Sequence, residues 1–598
     1  MTVRLGIATV SLSGLLAGKL DAVAAAGFDG LEIFDQDLVA SPMSPREVAA
    51  RCADLGLRID LLQPVRDVEG VPTERWDATL HRVRRKLDLA AELGAPTVLA
   101  CSSVAPDTVD DVDLSAEQLC RVGELAAERG VRVAFEALAW GRHTHRLRHA
   151  WEGVRRAGHP AVGLAVDTFH VLARGDGPEA LEGIPGDRLF FLQVADAPHL
   201  DMDVLQWSRH HRCFPGQGTL DVVPLVARVL GAGYDGPLSL EVFSDVVREA
   251  DPHETAADAY RSLLFLRDQL QRREGAPGCA PPPPASADAA FVELASGPDD
   301  GPAAALLRAL GFSPAGEHRS KPVTWWRNGN AHVVVNRGEG NDGGSQPVAL
   351  AVVAEPITDV VARAHVLRWP EVTRRRGDDE ARLPTLTSPS GVHVLVSAAA
   401  GHEDAWQRDF VPVPRPASGS TWLGIDHVGT AVDAWHLDAE TSFHRGLFAF
   451  EPGPVSEFME PRGRMRSRVL RPGAGSLRLV LSVVDTRGAA PQGINQVAFR
   501  CGDVRAEVRR LRALGADLVD VPDNYYADLE ARFGLADETV EDLRAHGLLY
   551  DRDGDGELLH TYTPVLNGGF YVELLERRGG YDGFGSANTA VRLAMQAT

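Results

Sequence analysis

The chain is 598 residues long and carries a formal net charge of -22. It is too long for a single hydrophobic core, and its charge has the wrong sign for a nucleic-acid or anionic-membrane partner, which needs basic patches. Its six cysteines (Cys52, Cys101, Cys120, Cys213, Cys279, Cys501) are scattered without a CxxC pair. No disulfide framework or zinc site is implied, and a reducing, cytoplasmic setting is expected. No uninterrupted apolar stretch is long enough to span a bilayer. The N-terminal MTVRLGIATVSLSGLLAGKL, interrupted by Gly and Ser, reads as the start of a fold rather than as a signal peptide.

In chain order, RLGIATVS from Arg4, GLEIFD from Gly30, RIDLLQPV from Arg58 and TVLACSS from Thr97 read as strands. RVAFEAL, VGLAVDTFH, LFFLQVAD and GPLSLEVF follow. Each is too short and too β-branched or aromatic to be a helix. Between them lie helical stretches such as SPREVAARCADLG and ERWDATLHRVRRKLDLAAELG, with Gly as the expected C-cap. Asp21 and Ser44 stand near helix starts as candidate N-caps. Eight βα units within about 270 residues predict an α/β TIM barrel, which typically takes about 250.

The last four strands each carry an oxygen-bearing side chain near their end: Glu136, Asp167, Gln193 and Glu241. In a closed parallel barrel such positions line the active site. Three carboxylates and one amide oxygen converging there suit a hard divalent cation such as Mg²⁺ or Mn²⁺, with no His or Cys required.

The helical YRSLLFLRDQLQRREG runs into APGCAPPPPASA, where Pro281 to Pro284 form a stiff linker. The expected divisions are a barrel over 1–273, a linker over 274–287 and a second domain over 288–598. That last part changes character. WWRNGNAHVVVN, LRLVLSVV, INQVAFRC and GGFYVELLERR read as short strands beside helices GPAAALLRALGF and DVRAEVRRLRALGA. A helix ending in Leu-Gly in each half suggests an α+β domain of repeated βαβββ modules. The run from Arg374 to Arg382, which also holds Asp378, Asp379 and Glu380, reads as a solvated loop.

The segments IATVSLSG, AAAGFDGLEIF, LLQPVRDVEG, FEALAWGRH, VDTFH, LQVADAP, RHHRCFPGQG and LEVFSD resemble a 3-dehydroshikimate dehydratase of the xylose isomerase-like barrel superfamily. The whole chain resembles the long bacterial form, which fuses this barrel to a 4-hydroxyphenylpyruvate dioxygenase-like, vicinal oxygen chelate domain. The resemblance implies dehydration of 3-dehydroshikimate to protocatechuate, a step of quinate and shikimate catabolism, with Mg²⁺, Mn²⁺ or Co²⁺ held by Glu136, Asp167, Gln193 and Glu241. His170, three residues after Asp167, is the first candidate acid or base, since imidazole titrates near neutral pH. His143 is the second. Arg212 and Arg66 are candidate grips for the substrate carboxylate, because a guanidinium binds one bidentately. Glu32 and Ser103, ending the second and fourth strands, are candidates either to hydrogen-bond the substrate or to structure the site.

LGIDHVGTAV, GINQVAFRCGDV and GGFYVELLERRGGYDGFGSAN carry the resemblance in the second domain. There the family holds Fe(II) with two His and one Glu. His427 and Glu573 match, but Gln496 stands where the second His belongs, so a second metal on His427, Gln496 and Glu573 would rest on a poorer ligand. His560 is a candidate replacement. Three other readings stay open: a sugar or inositol isomerase or epimerase on the same barrel, an Fe(II) oxygenase in the second domain, and a second domain that only builds a homo-oligomer.

Overall fold

The computed structural model describes residues 3–297, 301–338, 345–414, 420–460, 463–485, 492–566 and 569–596. The chain divides into two compact units, Met1–Cys279 and Ala280–Thr598. The first is a closed barrel of eight strands, β1 (Leu5–Ala8), β2 (Gly30–Phe34), β3 (Arg58–Arg66), β4 (Thr97–Cys101), β5 (Arg132–Glu136), β6 (Val162–Asp167), β7 (Leu189–Val194) and β8 (Leu238–Leu240). β1 pairs in parallel with β8 through Leu5↔Leu238 and Ile7↔Leu240, which closes the ring. The strands are buried on both faces because side chains fill the lumen and helices cover the outside.

Local chemistry sets the helices. Ser44 caps the helix Pro45–Asp54, and Glu47 answers it in a reciprocal capping box. Asp21 is not a cap. It lies inside the helix Leu16–Ala26 and pairs with Arg51 on the outer face. Burial of Leu16 and Leu20 starts that helix a turn earlier than the polar residue suggests. The helix Thr73–Leu93 buries Leu80, Val83, Leu87 and Ala90 and ends at Gly94, whose φ of 72° satisfies a left-handed cap.

The second unit is four βαβββ modules. The first runs β9 (Asp288–Ala295), helix Gly301–Ala309, β10 (Ser313–His318), β11 (Val323–Asn328) and β12 (Ala331–Asn336). The second runs β13 (Gln346–Val353), helix Ile357–Val366, β14 (Glu371–Val372), β15 (Thr385–Thr387) and β16 (His393–Ser397), with β17 (Phe410–Pro412) appended. The third runs β18 (Trp422–Ala431), helix His436–Phe448, β19 (Phe450–Glu460), β20 (Gly463–Pro472) and β21 (Arg478–Asp485). The fourth runs β22 (Gly493–Cys501), three helices, β23 (Leu549–Asp553), β24 (Gly556–Tyr562) and β25 (Tyr571–Arg578). The first pair builds a nine-stranded sheet and the second pair an eight-stranded one, ordered β19-β20-β21-β18-β22-β25-β24-β23.

Two expectations change here. WWRNGNAHVVVN is a hairpin and not one strand: Asn328 pairs with Ala331 across a turn whose first residue, Gly329, has φ 57°. The 374–382 run is also more than a solvated loop. Arg374 forms a bidentate pair with the buried Glu293, and the buried Glu380 accepts from Lys321 and Ser320. No helix among the described residues is long and apolar enough to cross a membrane, and all six cysteines are free.

Candidate metal centre

Parallel register gathers the predicted ligands at one rim of the barrel. Glu136 is the last residue of β5 and Asp167 the last of β6. Gln193 pairs in register with Asp167 on one side and Ser239 on the other. Glu241 follows β8 directly, held by its N–H on the Val194 carbonyl. All four are buried. Glu136, Asp167 and His170 each offer an atom within 4.8 Å of the others.

The charges here do not balance. Glu136, Asp167, Glu241 and Glu32 are four buried acids, and Arg212 is the one buried guanidinium among them. Its Nη1 donates to Asp167 Oδ2 at 2.7 Å and reaches Glu241 Oε2 at 3.3 Å. Burial, with repulsion from Glu241 and Asp167, pushes the Glu136 carboxyl well above its ordinary range. Burial likewise raises Glu241 to about 7, against the pull of Arg212. Burial would raise Asp167 too, but Arg212 outweighs it and holds that carboxyl low. Two oxygens, Glu136 Oε1 and Gln193 Oε1, are buried without a hydrogen-bond partner among the described residues. A bare buried acceptor costs about 1–3 kcal/mol. Buried carboxyls whose ionised forms lack a counter-charge, together with bare oxygens, fit a hard cation, so the barrel holds a site fit for a divalent metal.

His170 is the third residue of the short helix Thr168–Leu172 that Asp167 caps through the Phe169 and His170 N–H groups. Its Nδ1 accepts from the Ala139 N–H at 3.2 Å, and its Nε2 lies 3.8 Å from Asp167 Oδ2 and 3.9 Å from Glu136 Oε1. Burial pushes its pKa down to about 3, so the ring is neutral near pH 7.

A cavity of about 270 Å³ opens over this centre, lined by Glu136, His170, Glu241, Arg66 and Gln63. Arg212 also borders it, but its donors are taken. Nε and Nη2 bind Ser208 Oγ, Nη1 binds the acids, and the guanidinium lies 4.5 Å over the Phe169 ring. It is therefore a buried counter-charge to the acids rather than a free grip for a substrate carboxylate. Arg66 faces the cavity and is exposed, as are Arg209 and Arg248, which the sequence reading passed over. Arg209 lies in RHHRCF with Arg212. The helix Val204–His210 ends between them, leaving the first outside and turning the second inward.

Two candidates lie elsewhere. His143 borders a different cavity with Asp110 and Glu69, and its Nε2 contacts the Thr108 carbonyl at 3.0 Å. The Ser103 hydroxyl donates to the Glu69 carbonyl at 2.6 Å and its N–H to Glu69 Oε1, which pins two loops. Glu32 sits wholly buried in the barrel interior, hydrogen-bonded by Gln63, Gln193 and Ser239.

In the second unit, β18, β22 and β25 are adjacent and bring His427, Gln496 and Glu573 together. Gln496 Nε2 donates to Glu573 Oε2 at 2.6 Å, and its Oε1 accepts from the Tyr571 hydroxyl at 2.8 Å. His427 lies between Asp426 (2.8 Å) and Glu573 (3.2 Å). Burial would lower its pKa, but these two carboxylates outweigh it and raise the ring above its ordinary value. Asp426 is further paired with Arg577. His560 binds the other Glu573 oxygen at 2.8 Å and Asn588 at 2.9 Å. Two acids thus meet two cations, and none of the trio's side-chain polar atoms is bare. This donor set does not fit a metal as the barrel rim does.

A family model described as a xylose isomerase-like TIM barrel matches residues 20–269. A 3-dehydroshikimate dehydratase of Pseudomonas putida is 42% identical over 99% of this chain and 98% of its own length. One from Pseudomonas aeruginosa is 41% identical over the same shares. Among solved structures, a "xylose isomerase-like TIM barrel/4-hydroxyphenylpyruvate dioxygenase fusion protein" superposes with a TM-score of 0.91 at 39% identity, covering 100% of both chains. A barrel followed by paired mixed sheets, with this similarity along nearly its full length, places the chain in the 3-dehydroshikimate dehydratase family.

Proposed function

We propose that this chain is a hydro-lyase that dehydrates 3-dehydroshikimate to protocatechuate with a divalent cation, Mg²⁺, Mn²⁺ or Co²⁺, in quinate and shikimate catabolism in the cytoplasm. The observation that carries the metal is the pair of bare buried oxygens, Glu136 Oε1 and Gln193 Oε1, among four acids and one guanidinium. Glu136, Asp167, Gln193 and Glu241 would hold the cation. Bound there, it supplies Lewis-acid polarisation to a substrate carbonyl.

The residues provide the rest. Losing a hydroxyl β to a ketone requires removal of an α proton and delivery of a proton to the leaving oxygen, each typically worth about 10²–10⁴-fold. With Nδ1 accepting from the Ala139 N–H, the neutral His170 ring carries its proton on Nε2 and is placed to offer it to the leaving oxygen. Arg66, with Arg209 and Arg248 at the same mouth, offers guanidinium to the substrate carboxylate. A neutral polyol, the substrate of the isomerase reading, would have no use for that cationic rim.

The test is protocatechuate formation by metal-stripped full-length protein, with and without each cation. Activity should return only with metal, and Glu136→Ala should remove it. Undiminished turnover by the stripped protein would end the metal assignment. No product with any of the three cations would end the dehydratase assignment.

A further inference from the structure

Glu32 reaches no solvent and lies in the barrel interior beside the proposed ligand Gln193. Its Oε2 accepts from Gln193 Nε2 at 2.7 Å and from Gln63 Nε2 at 2.9 Å, while its Oε1 meets Ser239 Oγ at 2.5 Å. The contacts tie β2 to β3, β7 and β8. Gly6 on β1 has no side chain, and a Cβ there would stand 3.2 Å from Ser239 Oγ.

An amide has two chemically different ends, and its neighbour decides which end faces which way. Turning the Gln193 amide over would set its oxygen against Glu32 Oε2, acceptor against acceptor. With Nε2 committed to Glu32, the bare Oε1 is the end left for a cation. The same holds Gln63, which lines the cavity, with its Nε2 inward. We propose that Glu32 is a positioning residue for the metal: it fixes the Gln193 amide so that its oxygen, not its nitrogen, is presented to the cation. This rests on the proposed metal site of the barrel.

The test is Mn²⁺ binding by metal-stripped full-length protein, measured by calorimetry, without substrate. The parent should bind. Absence of binding would overturn the metal site itself and this role with it. Glu32→Met keeps the bulk and removes the acceptor, and should weaken Mn²⁺ binding about 10–100-fold, the usual effect of losing a partner that orients a ligand. Glu32→Gln should restore it, because its single oxygen can accept both amides while its nitrogen meets Ser239 Oγ. In a Gln193→Ala background, Glu32→Met should have no further effect on Mn²⁺ affinity. Parental affinity in Glu32→Met, or equal weakening with and without Gln193, would overturn the proposal. If Glu32→Met does not fold, Glu32→Asp, one methylene short of the two amides, is read in the same way.

Discussion

Arg212 and Arg66 are the same side chain put to opposite uses. Arg212 is buried against Asp167 and Glu241, and Arg66 stands exposed at the cavity mouth. Arg212→Met would leave two buried acids without their counter-charge, and breaking such a pair costs about 3–5 kcal/mol. Urea unfolding of the metal-stripped variant should show that loss, with part of it recovered on adding Mn²⁺. Arg66→Ala should unfold like the parent but raise KM at least about tenfold, the scale of a lost charge-assisted hydrogen bond. Equal stability of the Arg212 variant would contradict its role as counter-charge. The sequence could not separate the two. Glu136, Asp167, Gln193 and Glu241 were legible because a strand end fixes where a side chain points. Arg212 follows a helix end, and its direction depends on where that helix stops. Nor could the sequence show that Glu32 binds Gln193, since the pairing spans the barrel between strands 161 positions apart.

At the scale of elements, the barrel was legible because apolar runs alternate with helical ones at regular intervals. The second unit was less so. Its modules were recognisable as βαβββ. The turn between Asn328 and Ala331 is marked by its own polar Asn-Gly pair, a hairpin signal that reading WWRNGNAHVVVN as one strand overrode, while the pairing of Arg374 with Glu293 is set by tertiary contact. A similar tertiary tie holds the helix His436–Phe448. Its buried Glu440 accepts from Ser388 Oγ at 2.7 Å and from the Ser390 N–H at 2.6 Å. Burial would raise this carboxyl, but hydrogen bonds from His444, Ser390 and Ser388 outweigh it and hold it below the ordinary range. The unfolded chain therefore takes up the proton first as pH falls, and stability contributed by the ionised group declines. It is fully present above the ordinary carboxylate value of about 4.3. Glu440→Gln should cost about 1–3 kcal/mol at pH 7, with the gap from the parent narrowing below about pH 4. Denaturant unfolding of the two proteins at both pH values checks this, and a gap that widens in acid would refute it.

Across the whole molecule, two clusters of acids and bases sit at equivalent-looking places, on the rim of a barrel and in the fold of a sheet, yet differ in charge. The barrel rim sets four acids against Arg212 and leaves oxygens bare. The second cluster sets Asp426 and Glu573 against Arg577 and His427, with Gln496 donating to Glu573. To enter there, a cation would have to displace the proton that His427 holds between two carboxylates, and break the Gln496 hydrogen bonds. In return it would gain an amide oxygen, a weaker Fe(II) ligand than imidazole. The full-length protein, reconstituted with Mn²⁺ or Fe(II) and desalted, should therefore carry one metal per chain, and Glu136→Ala almost none. Gln496→His removes the amide that closes the cluster and adds an imidazole beside His427 and Glu573, and should raise the content towards two. Two metals in the parent, or one retained by Glu136→Ala, would mean that the second cluster binds metal despite its balanced charge.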